Sequence, residues 1–195
     1  ISGGVKGLLK ANGVKIITGT AQFLSDEVLL ITESSGQTDE LRPDKIIIAS
    51  GSIPALPPIP GIDHPNCLDS TGALSLDHVP ERLVIIGGGV IGVEMASVYN
   101  QFGAKVTIVE MQPGILPLMD GELAEMLRKK LMRDGIEILT GTQVLSIDGN
   151  DNQMTVNINK DGNKSSISGE KVLVAIGRKA ELSTLGLDNT TIKTD

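Results

Sequence analysis

Tryptophan is absent from this chain, and aromatic residues make up only 2% of it. Few aromatic side chains are available to stack on unpaired bases, so a surface for single-stranded nucleic acid is not expected. The formal net charge of −7 points the same way, because phosphate backbones and anionic membranes repel an acidic protein. We therefore expect neither nucleic acid nor a membrane among the partners.

Cysteine and histidine are also scarce. Cys67 is the only cysteine, which excludes a disulfide within the chain and a cysteine-cluster metal site. His64 and His78 have no second ligand at metal spacing, so we predict surface histidines and no metal site. No apolar run approaches the roughly 20 residues of a membrane span, and no signal peptide is visible. We expect a cytoplasmic protein, or a mitochondrial matrix protein if the source is eukaryotic.

The most informative stretch is an apolar run, Leu83 to Ile86, that leads directly into a cluster of glycines. Apolar residues then recur at helical spacing up to Gly103, so the pattern predicts a strand, a tight turn and a helix. Gly87, Gly89 and Gly92 fit G-x-G-x-x-G, in which the glycines allow the turn, admit a pyrophosphate and let helix and strand pack closely. The candidate phosphate-binding residues are Gly87, Gly88, Gly89, Val90, Ile91, Gly92, Val93 and Glu94.

A second apolar strand, Lys105 to Val109, ends in Glu110. Glu110 lies about 20 residues beyond the glycines, the spacing typical of the carboxylate that binds an adenosine ribose. No Arg or Lys follows in Met111 to Pro113 to receive a 2′-phosphate, so the pattern favours NAD over NADP. The alternative is a tight turn that binds nothing, with Glu110 a solvated strand end.

The remaining pattern predicts an α/β fold with a Rossmann-like parallel sheet and an antiparallel β-meander. Asp120 caps a helix that runs to Arg133, with Leu123, Met126, Leu127 and Leu131 as its apolar stripe. A strand over Ile136 to Leu139 follows, and then the meander. The predicted meander and final strands are Thr142 to Ile147, Met154 to Ile158, Lys164 to Ser168 and Lys171 to Ile176.

Before the glycine cluster, the pattern predicts a helix over Ile1 to Asn12 and a series of strands. The prolines between Ile53 and Gly61 indicate a connection between two domains. A short helix over Asp69 to Leu76, with Ser70 and Thr71 as capping candidates, precedes the glycine unit. The predicted early strands are Val14 to Ile17, Ala21 to Leu24, Val28 to Thr32 and a buried one over Lys45 to Ala49.

Three segments occur in one order: Ile46 to Ser52, the glycine fingerprint with Glu94, and Val172 to Arg178. This order resembles the pyridine nucleotide–disulfide oxidoreductases, flavoproteins in which an NAD(P)-binding domain is inserted into an FAD-binding domain. The segments Asp69 to Leu74 and Ile115 to Asp120 are similar to those of the dihydrolipoamide dehydrogenases within this family.

The resemblance implies an NAD-binding domain over residues 53–178, flanked by partial FAD-domain segments over 1–52 and 179–195. It also implies FAD and NAD as cofactors, a lipoyl-bearing protein as partner and a homodimeric parent enzyme that oxidises dihydrolipoamide. By resemblance, Glu110 binds the adenosine ribose, Gly177 lines the nicotinamide end, and the adenine lies at Val144. Ser50, Gly51 and Ser52 correspond to an FAD-contacting segment, and Glu94 to a residue that pairs with a lysine beside the flavin.

No redox cysteine pair and no catalytic base are found in this sequence, so we name no catalytic residue. The expectation is a fragment that binds NAD(H) without turnover by itself. Two alternatives stay open: the NAD-binding domain of another family member, such as an NADH oxidase or peroxidase, and a stand-alone nucleotide-binding module.

Overall fold

The computed structural model describes residues 2–194; the helix start expected at Ile1 and the segment end expected at Asp195 lie outside this range. The chain divides into two units. We call Ile53–Lys179 the central unit, and the residues up to Ser52 together with those from Ala180 onward the flanking unit.

The flanking unit contains helix α1 (Ser2–Ala11) and an antiparallel sheet of β1 (Gly19–Ser25), β2 (Val28–Glu33) and β3 (Thr38–Leu41). The sequence predicted α1, β1 and β2, but it missed β3, which has no alternating apolar residues. Pairing with β2 creates this strand, with Leu41 opposite Leu29. A 3-10 turn, Leu187–Asn189, packs on the sheet, where the Asn189 side-chain amide donates to the Phe23 carbonyl at 2.9 Å.

Two predicted strands of the flanking unit are wrong. Residues 14–17 and 45–49 form no strand, and Ile47 is 91% exposed. Their apolar residues favoured strands, but a strand also needs a neighbour for its backbone hydrogen bonds. Among residues 2–194, no strand pairs with either segment. After the second of these segments, β4 (Ser52–Pro54) leads into the central unit.

A five-stranded parallel sheet forms the centre of the central unit. Its strands are β5 (Cys67–Leu68), β6 (Arg82–Ile86), β7 (Lys105–Val109), β8 (Glu137–Leu139) and β12 (Lys171–Val174). The spatial order is β5-β12-β6-β7-β8, so the last strand in sequence lies beside the strand that precedes the glycines. The predicted parallel sheet is thereby confirmed.

Helices cover one face of this sheet, and a β-meander covers the other. The helices are α2 (Ser70–Leu74), α3 (Val90–Gln101) and α4 (Gly121–Arg133), and the meander strands are β9 (Thr142–Gly149), β10 (Met154–Lys160) and β11 (Asn163–Gly169). Alternate residues of β6 serve the two faces: Leu83 and Ile85 pack beneath the helices, whereas Val84 and Ile86 pack beneath the meander. Both faces are buried, which explains the uninterrupted apolar run. Beyond β12, β13 (Arg178–Ala180) pairs with β4.

Two details of the helices differ from the predictions. Asp69, not Ser70 or Thr71, caps α2, because its carboxylate accepts the Gly72 N–H at 2.7 Å. The predicted stripe of α4 is partly wrong, since Leu123 and Met126 are exposed. The buried side of α4 consists of Ala124, Leu127 and Leu131, with Leu127 only partly buried.

Candidate functional site

The glycine turn connects the end of β6 to the start of α3, at the carboxyl edge of the parallel sheet. Gly87 has a φ of +111°, and a Cβ there would lie 2.5 Å from the Ala175 carbonyl oxygen. Only glycine fits such a position, because both the backbone conformation and the close approach to the neighbouring strand exclude a side chain. The Gly87 N–H donates to the Val109 carbonyl at 2.9 Å, which joins the turn to β7 as well.

The other two glycines of the fingerprint have different surroundings. A Cβ on Gly92 would lie 2.1 Å from the Gly87 carbonyl oxygen, so helix and turn touch at that point. Gly89 is the N-cap of α3, with φ −74° and ψ −176°, and a Cβ there would meet nothing within 4 Å. The first N–H groups of a helix have no acceptor within it, and Gly89 supplies no side-chain cap. The space beside Gly89 is therefore open towards free donors and the positive end of the helix dipole.

Glu110 lies directly beside this turn. Only 9% of the residue is exposed, and its two carboxylate oxygens accept the N–H groups of Gly88 and Gln112, each at 2.6 Å. These two hydrogen bonds hold the carboxylate in place next to the glycines. A carboxylate has about four lone-pair sites, so each oxygen retains the capacity to accept a further hydroxyl.

The remaining fingerprint residues belong to the first turns of α3. Val93 is buried in the core beneath the helices, and Ile91 packs against that core. Val90 and Glu94 are exposed. The valine and isoleucine side chains at 93 and 91 therefore anchor the helix, while the backbone of the turn faces the open space.

Gly177 and Val144 lie on other elements of the central unit. Gly177 lies shortly after β12, and Ala175, which directly follows that strand, donates its N–H to the Ile86 carbonyl at 2.8 Å, so Gly177 lies at the same edge of the sheet as Gly87. A Cβ on Gly177 would meet nothing within 4 Å. Val144 lies in β9 and is partly buried against the cluster between sheet and meander.

The predicted flavin segment lies at the border of the flanking unit. The Ser50 hydroxyl donates to the Glu181 carbonyl at 2.6 Å, and the Glu181 N–H donates to the Gly51 carbonyl at 3.1 Å. All of residues 50–52 are exposed, and Ser52 begins β4. Backbone and hydroxyl contacts thus fix the turn of this segment.

The profile of a family described as pyridine nucleotide-disulphide oxidoreductase matches residues 1–195 of this chain. The chain belongs to the pyridine nucleotide-disulphide oxidoreductase family. The resemblance expected from the three sequence segments is confirmed, as is the fold class.

Curated members of this family are similar along the whole chain. A dihydrolipoyl dehydrogenase of Acholeplasma laidlawii is 40% identical over 204 residues, covering 100% of this chain and 58% of the relative. A dihydrolipoamide dehydrogenase of Chaetomium thermophilum is 39% identical, covering 98% of this chain and 39% of the relative. The chain therefore spans about two fifths to three fifths of the length of these relatives.

Solved structures of the family give the same fold. The flavoprotein disulfide reductase RclA of Escherichia coli, as a Cu(II) complex, superposes with a TM-score of 0.82 at 34% identity. That superposition covers 93% of this chain and 40% of the RclA chain. The matched family is described as pyridine nucleotide-disulphide oxidoreductase, and RclA as a flavoprotein disulfide reductase.

Sequence reasoning missed the contact between the loop after β7 and the glycine turn. The Leu116 N–H donates to the Gly88 carbonyl at 2.8 Å, and Leu116 has a φ of +52°. The Gln112 carbonyl accepts the Gly141 N–H at 2.9 Å, which ties the same loop to the start of the meander. The Leu-Pro pair at 116 and 117 gave no signal for this arrangement, because a following proline favours an extended residue and not the positive φ of Leu116.

The histidines and the cysteine make hydrogen bonds with residues outside the glycine turn. His78 pairs through Nδ1 with Asp77 at 2.7 Å and through Nε2 with Glu170 at 2.8 Å, and these carboxylates raise its pKa. Burial raises the pKa of the half-buried Cys67 thiol. Within residues 2–194, no group of three or more His, Cys, Asp or Glu side chains could hold a metal ion. None of the described helices is long and apolar enough to cross a membrane.

Proposed function

We propose that the central unit binds NAD(H) and that the chain supplies the pyridine-nucleotide side of a dihydrolipoamide dehydrogenase. The observation that carries this proposal is the unequal space around the three fingerprint glycines. A side chain would clash at Gly87 and Gly92, where the backbone packs closely, whereas Gly89 faces open space at the start of α3. A pyrophosphate needs such an opening beside unpaired N–H groups and the positive end of a helix.

In this proposal, different residues of the chain bind different parts of the dinucleotide. The N–H groups at the start of α3 bind the pyrophosphate, and the Glu110 carboxylate accepts the hydroxyls of the adenosine ribose. Its two existing hydrogen bonds, from Gly88 and Gln112, keep the carboxylate oriented before the ligand arrives. The adenine lies at Val144 and the nicotinamide end at Gly177. When bound, NAD accepts a hydride on its nicotinamide ring.

In the whole enzyme, residues 1–52 and 179–195 belong to an FAD-binding domain and residues 53–178 to the NAD-binding domain. Ser50, Gly51 and Ser52 contact FAD, and Glu94 pairs with a lysine beside the flavin. The substrate is dihydrolipoamide on a lipoyl-bearing protein, and the enzyme is a homodimer. The names of the curated relatives, dihydrolipoyl or dihydrolipoamide dehydrogenase, support this choice within the family.

The cofactor is NAD rather than NADP in this proposal. The buried Glu110 carboxylate would repel a 2′-phosphate at close range, and Met111, Gln112 and Pro113 offer no cation to receive one. Calorimetric titration of the chain with NADH and NADPH tests this. We expect NADH to bind at least tenfold tighter, a difference of about 1.4 kcal/mol. Equal affinities would remove Glu110 from its assigned role, and no binding of either nucleotide would contradict the dinucleotide site.

A second candidate is a disulfide reductase other than dihydrolipoamide dehydrogenase. The observation that favours it is the 34% identity to the E. coli flavoprotein disulfide reductase RclA, only a few percent below the identity to the dehydrogenases. Both candidates use the same nucleotide site, so the NADH titration bears equally on both. Activity of the whole protein with dihydrolipoamide and NAD separates them, because the second candidate predicts no NAD reduction by this substrate.

A further inference from the structure

The peptide groups around Gly88 are fixed from two sides. The Gly88 N–H donates to Glu110 Oε2 at 2.6 Å, and the Gly88 carbonyl accepts the Leu116 N–H at 2.8 Å. Glu110 follows β7, and Leu116 belongs to the loop after it. Two residues that come later in the chain than the glycine turn therefore hold Gly88. The role expected for Glu110 accounts for the first contact. The second has no counterpart among the roles that the G-x-G-x-x-G motif describes.

Leu116 adopts an unfavourable conformation to make this contact. Its φ of +52° lies in the left-handed region, which a side chain disfavours, and Leu116 and Asp161 are the two non-glycine residues of the described chain found there. Asp161 is explained by the β10–β11 hairpin, where it precedes Gly162 in a tight turn that requires positive φ. No hairpin surrounds Leu116, so another constraint has to account for its conformation.

Three contacts hold Leu116 in place. Its N–H reaches Gly88, its carbonyl accepts the Met119 N–H at 2.9 Å, and its side chain packs against the core beneath the helices. Pro117 follows as the second residue of the turn from Leu116 to Met119, a position that proline favours. An unfavourable backbone persists only when the surroundings over-determine it, and such residues cluster at ligand sites.

The geometry of the peptide bond connects Leu116 to the phosphate-binding space. The Gly88 carbonyl and the Gly89 N–H belong to one peptide group, and no cis peptide bond is present among the described residues. In a planar trans peptide the two groups point in opposite directions. Because the carbonyl points at Leu116, the Gly89 N–H points away from it. Fixing the carbonyl therefore fixes the direction of an N–H at the beginning of α3.

We propose that Leu116 is a positioning residue for dinucleotide binding: its strained backbone amide orients the peptide group between Gly88 and Gly89 so that the Gly89 N–H meets the pyrophosphate. This inference rests on the proposed NAD(H) site. Leu116 itself does not contact the ligand. It affects binding of the pyrophosphate, whereas Glu110 binds the ribose.

A pair of substitutions tests the inference. Leu116→Val introduces a β-branched residue, for which positive φ is a severe outlier, and so displaces the amide from Gly88. Leu116→Gly removes the same side chain but accepts positive φ, so it rescues much of the binding that valine loses. The matched controls are Asp161→Val and Asp161→Gly, at the other residue with a φ of +52°. Circular dichroism and thermal melting establish the folded fraction of each variant before titration.

The ligands are NADH, ADP-ribose and adenosine, titrated by calorimetry into the full chain. We expect Leu116→Val to weaken NADH and ADP-ribose about tenfold and to change adenosine less than twofold, because adenosine has no pyrophosphate. Both Asp161 variants retain the parent affinity for all three ligands. This split between ligands is a result that loss of stability alone would not produce.

Three results would overturn the inference, and they are distinguishable. If the parent chain binds no NADH, the proposed function fails and this inference fails with it. If the parent binds and Leu116→Val binds NADH equally well, the site stands but the positioning role is wrong. Equal losses for NADH and adenosine, or equal losses in Asp161→Val, would mean that Leu116 only stabilises the fold. If Leu116→Val does not fold, replacing the peptide bond before Leu116 by an ester removes the N–H and keeps the leucine side chain, and the same ligand split decides.

Discussion

A Cβ atom on Gly92 would lie 2.1 Å from the carbonyl oxygen of Gly87. The helix that follows the turn therefore touches the turn itself, and no side chain fits between them. A Cβ on Gly87 would in turn lie 2.5 Å from the carbonyl oxygen of Ala175, the residue after β12, so the turn is closely packed on that side as well.

This contact predicts that Gly92→Ala destabilises the protein. Alanine is the better helix former by about 1 kcal/mol, but overpacking a rigid site costs about 1–3 kcal/mol, and the clash is with backbone. Urea denaturation should show a net loss of stability. Gly121→Ala, at the open first residue of α4, is the control and should leave stability unchanged or slightly raised. A Gly92→Ala variant as stable as the parent would mean that helix and turn do not touch.

Gly89→Val should separate binding from folding. The φ of −74° and ψ of −176° suit any residue, and a Cβ meets nothing within 4 Å, so the fold should survive at a cost of about 1 kcal/mol for the weaker cap. The branched side chain would occupy the space assigned to the pyrophosphate. We expect NADH affinity to fall more than tenfold, measured by calorimetry beside thermal melting of the same sample. Unchanged affinity in a folded variant would place the dinucleotide site elsewhere.

Tyr99 links α3 to α2 through a hydrogen bond from its hydroxyl to the Ala73 carbonyl. Burial raises the pKa of this hydroxyl. Tyr99→Phe should lower the free energy of unfolding by about 0.5–1.5 kcal/mol, the usual value of such a bond. NADH affinity should not change, because the contact lies on helices and not at the glycine turn. Altered affinity at unchanged stability would contradict this separation.

The ion pair of His78 with Glu170 should make stability depend on pH. Glu170, and then Asp77, raises the pKa of His78 above 6.5, so this contribution is complete below pH 6.5 and is lost as pH rises through the raised pKa. His78 in turn lowers the pKa of Glu170 below 4.5, so that contribution is complete above pH 4.5 and is lost as pH falls through the lowered pKa. The difference in melting temperature between the parent and His78→Gln should therefore be largest between these two values.

A double-variant cycle with Glu170→Gln checks the assignment. If the pair causes the pH dependence, His78→Gln should have no pH-dependent effect in the Glu170→Gln background beyond the part that Asp77 contributes. A pH dependence that is unchanged in the double variant would assign it to other groups. Because the pair is exposed, added salt should reduce the effect.

The sequence predicted most of the central unit because its elements are periodic. The uninterrupted apolar run at Leu83 to Ile86 specifies a strand that is buried on both faces. The alternation at Met154 to Ile158 specifies a strand that is buried on one face. On α4 the same reasoning was less exact. Leu123 and Ala124 are neighbours, and the pattern does not specify which of them faces the core; the larger residue is exposed.

Features that depend on distant neighbours could not be predicted. The apolar segment at residues 45–49 satisfies every local criterion for a strand, yet pairing is a property of two segments, and residues 2–194 supply no second one. In the site, the motif gave the glycines and Glu110. The contact between Leu116 and Gly88 could not be predicted from the sequence. A helix and a strand separate the glycine turn from this loop, and no spacing rule connects the two.

The position of β12 has a consequence for how the protein acquires its shape during synthesis. Val172 pairs with Val84, and Ala175 packs closely against Gly87. The turn before α3 can therefore gain this contact only after the three meander strands have been made. Contacts so far apart in sequence are slow to form. During synthesis, β12 is made after β7, α4 and the meander, so one side of β6 can gain its neighbour only after those elements have been made. In the finished sheet, β12 lies between β5 and β6.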